Sequence, residues 1–271
     1  MIITSQPWEV VLTVYIQNFR KFQPLLRELV ARDIKIKYRR SALGVLWTLL
    51  NPLLMMIILA VVFSNLFGRF DEIDNFPLYL LSGQLIFTFF SESTTSGMSS
   101  IINSASLIKK IYIPKYLFVI SRIVSGLINL MATFTALILV MLAMRANLHY
   151  TVFLSLIPIL LLVLFSLGIG LILSAVAVQF RDIVHLYTVF TMALLYLTPV
   201  IYPISILPDW LYPIVRYNPV SNYLIMFRQV MLNGVLFDWV SLVYGIITTM
   251  VALVLGCYVF YKRQDDFILY V

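Results

Sequence analysis

Few residues in this chain have types and spacings that suit chemistry. Gln84, Thr88, Ser91, Glu92 and Thr95 recur at helical spacing within a mostly apolar run, so one helix face offers hydrogen bonds and a carboxylate. Polar groups in such a run are costly unless they face protein or water, and the whole face predicts the wall of a water-filled path. Glu92 is the sole acid well inside a predicted span. Helix–helix hydrogen bonding, or a position at the membrane boundary, accounts for Glu92 equally well. Phe87, Phe89 and Phe90 sit beside this face. Tyr187, Thr191, Leu194 and Thr198 share one face of a later run, with Tyr196 and Tyr202 near its outer end. Aromatic rings offer flat apolar faces to the C–H faces of sugars, and tyrosine adds a polar handle. Taken singly, most of these aromatics read as membrane belts and lipid contacts.

Other chemistry is poorly supplied. The one cysteine, Cys257, excludes a disulfide within the chain, and no spacing reads as a metal site. There is no G-x-x-x-x-G-K-[ST] loop, and no Gly-Lys pair at all, so no phosphate-binding loop for ATP. H-E-x-x-H, G-x-S-x-G and CxxC are also absent. A polytopic glycosyl- or acyltransferase would have to draw on Glu92, Asp182 and His185. Arg181 more simply pairs with Asp182 or a neighbour, and His185 reads as structural or interfacial. His149 falls in a short loop and reads as solvated.

The elements that position these residues are set by composition. The chain has 271 residues, 62% apolar, 14% aromatic and only 11% charged, with a mean hydropathy of +0.98. A soluble domain carries about 45–50% apolar and about 25% charged residues. So much apolar surface needs lipid as its solvent. Six runs are long enough to span a bilayer: Leu46–Phe67, Leu78–Met98, Leu117–Met141, Val152–Val178, Ile183–Tyr202 and Trp239–Tyr261. The second is the least apolar. Ser166, Gly170, Ser174 and Ala177 line one stripe of the fourth and predict close helix packing.

Charge assigns the sides. Lys and Arg total 19 against 12 Asp and Glu, a formal +7. Arg20, Lys21, Arg27, Arg32, Lys35, Lys37, Arg39 and Arg40 precede the first span, Lys109, Lys110 and Lys115 follow the second, and Lys262 and Arg263 follow the sixth. By the positive-inside rule both termini are cytoplasmic, and the excess signals topology and anionic lipid rather than nucleic acid.

Three segments outside the spans stand out. Residues 1–44 carry two apolar stripes, Trp8 to Phe19 and Leu26 to Tyr38, with Pro24 permitting a fresh helix start between them; they predict an amphipathic helix pair lying in the membrane interface. In the loop after span two, Asn103 or Ser104 is placed to cap a short helix carrying Leu107, Ile108, Lys109, Lys110 and Ile111, which Pro114 would stop. That helix, apolar on one side and basic on the other, suits a groove in a cytoplasmic partner, or else the lipid surface. Residues 203–238 are apolar but broken by Pro203, Pro208, Pro213 and Pro219, and predict short re-entrant helices on the outer side. The fold expected is all-α: six transmembrane helices in a domain of residues 45–271, preceded by the interface segment of residues 1–44.

With these features in place, the chain resembles the membrane subunit of type 2 ABC exporters for cell-surface polysaccharide, the family of O-antigen, capsule and teichoic acid permeases. The resemblance is carried by Leu25–Gly68, by NSASLIKKIYIPKYLF at Asn103–Phe118, by FRDI at Phe180–Ile183, by TPVIYPISILP at Thr198–Pro208 and by NPVSNYLIMFRQ at Asn218–Gln229. It implies a homodimer in the bacterial cytoplasmic membrane, paired with two copies of a separate ABC ATPase that binds the ATP and Mg; no cofactor is expected on this chain itself. It implies that Leu107, Ile108, Lys109, Lys110 and Tyr112, within residues 103–113, form a coupling helix against that ATPase. Arg39 and Arg40 would lie near lipid phosphates or a substrate pyrophosphate at the cytoplasmic gate, and residues 203–238 would form the outer gate. The cargo implied is a glycan on a polyprenyl diphosphate lipid. The same architecture carrying a drug or small lipid is the nearest rival reading.

Overall fold

The computed structural model describes residues 8–38, 43–67, 75–110 and 113–267, and all regular structure among them is helical. The first helix, α1, spans Trp8–Tyr38 without a break. The fresh start expected at Pro24 does not occur. Proline removes one backbone hydrogen bond, but it does not force a stop where later turns are held. Here Leu29 is 4% exposed and Asp33 8%, and α1 packs on α6 (Tyr116–Ala143).

The remaining long helices are α2 (Trp47–Phe67), α3 (Phe76–Met98), α7 (Leu156–Gln179), α8 (Ile183–Tyr196) and α11 (Trp239–Arg263). With α6 they follow the six expected runs, except that α8 ends at Tyr196 instead of Tyr202. The cause lies in Pro199, since the residue before a proline is pushed out of helical geometry. Thr198 instead turns its hydroxyl onto the Leu194 carbonyl, 2.7 Å away. Among the described residues, three stretches, Tyr116–Ala143, Tyr150–Gln179 and Trp239–Asp266, are long and apolar enough to cross a membrane, and Trp47–Leu59 and Ile183–Tyr196 are shorter apolar helices.

α3 is central. It touches α2, α6, α7 and α8, and also α10 (Pro219–Met231). Protein rather than lipid covers most of it, so it need not be apolar all round. Leu85, Ile86, Phe89 and Phe90 of α3 join Leu130 and Leu137 of α6, Phe165 of α7, and Tyr223, Leu224 and Phe227 of α10 in the main core. A second core forms at the other end of the bundle, around Leu29, Ile101, Ile113, Leu117, Leu171, Phe260 and Phe267.

The tightest seam joins α7 and α11. A Cβ placed on Gly256 would lie 2.4 Å from the Gly168 carbonyl oxygen, and one on Gly168 would lie 2.5 Å from the Ala252 carbonyl. The two backbones therefore meet directly. The stripe of Ser166, Gly170, Ser174 and Ala177 is buried as expected, with Gly170 facing Val119, Ile123 and Gly97.

Residues 203–238 break where their prolines stand. A 3-10 turn at Ile204–Ile206 leads to α9 (Tyr212–Arg216) and then α10. Pro213 and Pro219 sit in the first turns of α9 and α10, where a missing N–H costs nothing. Asn218 caps α10 by accepting from the Val220 amide at 3.0 Å. α10 is buried almost throughout, packed on α3, α7 and α11.

Candidate functional site

The polar face of α3 is its least covered side. Thr88 and Glu92 are exposed, and Gln84, Ser91 and Thr95 are half-buried. The Gln84 Oε1 atom is buried without a hydrogen-bond partner among the described residues. Phe87 and Phe90, beside this face in sequence, are buried, 7% and 3% exposed. Phe90 stacks on Phe165 at 5.9 Å, and Phe165 in turn meets Tyr223 at 5.6 Å. Glu92 faces Lys37 of α1 at 3.4 Å, both side chains about half exposed.

α8 docks on α3 through Tyr187, whose hydroxyl donates to Thr94 Oγ1 at 2.6 Å in a buried contact. Its ring stacks on Phe190. Thr191 is buried on the same face and donates to the Tyr187 and Thr188 carbonyls. The opposite face of α8 is open: Leu186, Val189, Met192 and Tyr196 are 65–70% exposed. Tyr202 is half-buried and donates to the Tyr196 carbonyl at 2.6 Å. Tyr187 and Thr191 thus lie against α3, whereas Tyr196 and Tyr202 form a separate group at the end of α8 and just beyond it.

The turn between α8 and Tyr202 packs on a residue the sequence reading passed over. Arg228 of α10 is 7% exposed. It donates to Ser82 Oγ (3.1 Å) and to the carbonyls of Pro199 (2.6 Å), Tyr79 (2.9 Å) and Val200 (3.0 Å). Tyr79 also donates to the Tyr202 carbonyl at 2.8 Å. Gly83 makes room, since a Cβ there would lie 2.7 Å from Arg228 Nη2. A buried cation satisfied by carbonyls needs every donor matched, and here the fork is filled from α3 and from the turn after α8.

A second missed group anchors α1. Asp33 is buried, forms an ion pair with Arg122 of α6 at 3.0 Å and accepts from its neighbour Arg32 at 3.4 Å. Leu29, Asp33 and Lys37 fall four residues apart, so one stripe of α1 meets the bundle with an apolar, an anionic and a cationic side chain in turn.

In the loop after α3, a single turn, α4 (Ser100–Asn103), precedes α5 (Ala105–Ile108), which stands where the loop helix is expected. Leu107 and Ile108 are half-buried and pack on the second core, while Lys109 and Lys110 are exposed. Ser104 holds the N-cap position of α5 without a side-chain cap bond, because backbone turns run on from α4 through it. Tyr112, Arg39 and Arg40 lie outside the described residues. Arg181, Asp182 and His185 are exposed, and no ion pair joins Arg181 to Asp182 among the described residues. His149, expected to be solvated, is half-buried against Gly234.

A helical bundle with long apolar spans and a polar face on its central helix is a multi-pass membrane protein. The chain belongs to the ABC-2 type transporter family, whose profile matches residues 24–232. It is 30% identical over 248 residues to the O-antigen export system permease protein RfbA of Klebsiella pneumoniae, covering 90% of this chain and 93% of that protein. A Myxococcus xanthus protein of the same name is 31% identical over 194 residues, 72% of this chain and 74% of that protein. The polysialic acid transport protein KpsM of Escherichia coli is 24% identical over 238 residues, 88% of this chain and 92% of that protein.

Proposed function

We propose that this chain is the membrane subunit of an ATP-driven exporter that moves a cell-surface polysaccharide out of the bacterial cytoplasm across the inner membrane. The observation that carries the reading is the family match together with nearly end-to-end similarity to O-antigen export permeases. Six spans (α2, α3, α6, α7, α8 and α11) with both termini cytoplasmic satisfy the basic-residue distribution. Two copies form the channel and pair with two ABC ATPase subunits, which hold ATP and Mg. The cargo is a glycan on a polyprenyl diphosphate lipid.

The working parts follow. Nucleotide-driven closure of the ATPases pushes the loop helix that bears Leu107, Ile108, Lys109 and Lys110, with Tyr112 beside it. ATP shifts this equilibrium only through its tighter binding to the closed pair. The channel wall comprises Gln84, Thr88 and Glu92, backed by Phe87 and Phe90, with Tyr187, Thr191, Tyr196 and Tyr202 along α8 and beyond. Weak repeated stacking lets a polymer slide, whereas one tight site would stall it, as in ion conduction. Arg39 and Arg40 serve the pyrophosphate or lipid phosphates at the entrance, and residues 203–238 form re-entrant helices of the outer gate.

The direct test is reconstitution of this chain with its ATPase in vesicles. Hydrolysis stimulated by a polyprenyl-diphosphate glycan, with glycan appearing across the membrane, is the expected result. Stimulation by small amphiphiles alone would assign the transporter to drugs or small lipids instead.

A further inference from the structure

The chain's last described residues fold back onto its loops. After α11, a 3-10 turn at Gln264–Asp266 leads to Phe267, which is fully buried. Phe267 meets Phe260 edge-to-face at 5.4 Å and joins the same core as Ile101, Ile113 and Leu117, against which Leu107 and Ile108 pack. Two adjacent residues then reach in different directions. Arg263 donates to Gln179 Oε1, at the end of α7, and the Gln264 carbonyl accepts from Lys115, the residue that closes the loop before α6. The Lys115 ammonium also lies 5.6 Å from the centre of the Phe267 ring, within cation–π range. Burial lowers the Lys115 pKa, and the nearby Asp265 and Asp266 pull it back up. The loop between α3 and α6 and the last residue of α7 are therefore both tied to one short segment. That segment continues α11, whose backbone is in contact with α7 at Gly168 and Gly256.

We infer that the C-terminal end of α11 is a clasp that fixes the loop helix to the α7–α11 pair, and that Lys115 and Phe267 are positioning residues for energy coupling. The inference rests on reading the chain as an exporter subunit driven by a separate ATPase. Its physical content is simple. A push on Leu107–Lys110 does work on the bundle only if the loop's far end is held. An amphipathic single turn cannot hold itself, since so short a helix is marginal alone. Phe267 and Lys115 supply the hold from a side chain in the core and a donor at the loop's base.

Two measurements on the full-length chain test this. In lipid nanodiscs, amide exchange across residues 105–110 is followed for Phe267→Ala, Lys115→Gln and Lys115→Arg. With the ATPase subunits present, glycan export per ATP hydrolysed is measured for the same proteins. Exchange on the order of tenfold faster in the loop, with α3 amides unchanged and export per ATP several-fold lower, is the expected result for Phe267→Ala and Lys115→Gln. Lys115→Arg keeps a donor and a cation over the ring and retains coupling near the wild-type value. Unchanged loop exchange in both Phe267→Ala and Lys115→Gln overturns the clasp; faster exchange with unchanged export per ATP overturns its role in coupling. If the wild-type complex shows no ATP-driven export, the exporter reading fails on that arm, while the exchange arm still decides whether the clasp exists.

Discussion

The guanidinium carbon of Arg228 stands 3.4 Å from the centre of the Tyr79 ring, and the same side chain donates to the Tyr79 backbone carbonyl at 2.9 Å. One residue of α10 thus grips one residue of α3 by both its ring and its backbone. Through Pro199 and Val200 it also holds the turn after α8. No carboxylate pairs with Arg228 among the described residues, so its charge is balanced by dipoles and a π face alone.

Arg228→Lys is therefore not conservative. Lysine keeps the charge but has no planar fork for several acceptors. Loss of about 3 kcal/mol follows from carbonyls and the Ser82 hydroxyl left unpaired. Detergent-unfolding midpoints should fall for Arg228→Lys and further for Arg228→Met; a wild-type midpoint for the lysine variant would show that the fork contributes little.

The two ion links of α1 should differ. Asp33 is buried and its partner Arg122 largely so, so Asp33→Asn should cost about 2 kcal/mol and expose residues 22–38 to protease. Lys37 and Glu92 are half exposed, and Lys37→Gln should change stability by less than about 0.5 kcal/mol. Limited proteolysis of both variants in nanodiscs measures the contrast.

Glycine replacements should separate the two faces of α7. Gly256→Ala and Gly168→Ala drive a methyl into backbone and should sharply reduce folded protein. A Cβ on Gly170 would meet nothing closer than 3.5 Å, so Gly170→Ala should accumulate normally. Membrane abundance and thermal aggregation midpoints report the result.

The proposed channel residues divide by burial. Tyr187→Phe loses the bond to Thr94 and should cost about 1 kcal/mol with the ring retained. Tyr196 is 70% exposed, so Tyr196→Ala should leave folding intact while lowering surface glycan at equal subunit abundance. Undiminished export in Tyr196→Ala, Tyr187→Ala and Phe87→Ala together would remove these aromatics from the channel wall.

The long helices were legible because apolar runs of about 20 residues have one main use, and the proline positions marked the breaks around α9 and α10. The amphipathic character of the loop helix was legible as well, from Leu107 and Ile108 against Lys109 and Lys110. Arg228 and Asp33 were not. Their meaning depends on partners more than 80 residues away, Tyr79 and Arg122 respectively, and nothing in local spacing announces such a pairing. Gly168 escaped for a related reason. The stripe through Ser166 and Gly170 looked like the packing face, yet the closest approach uses a glycine turned toward α11. Pro24 misled in the other direction, because a helix break was written in the sequence and the packing of later turns ran through it.

The contact of Gly168 with Gly256 also limits how this molecule can move. A helix ratchets past its neighbour by moving side chains from one set of holes to the next, and between α7 and α11 no side-chain layer exists at that point. The pair is a fixed axle. In the proposed exporter, opening takes place around it, at seams where a helix face is still uncovered, such as those on α2 and α8.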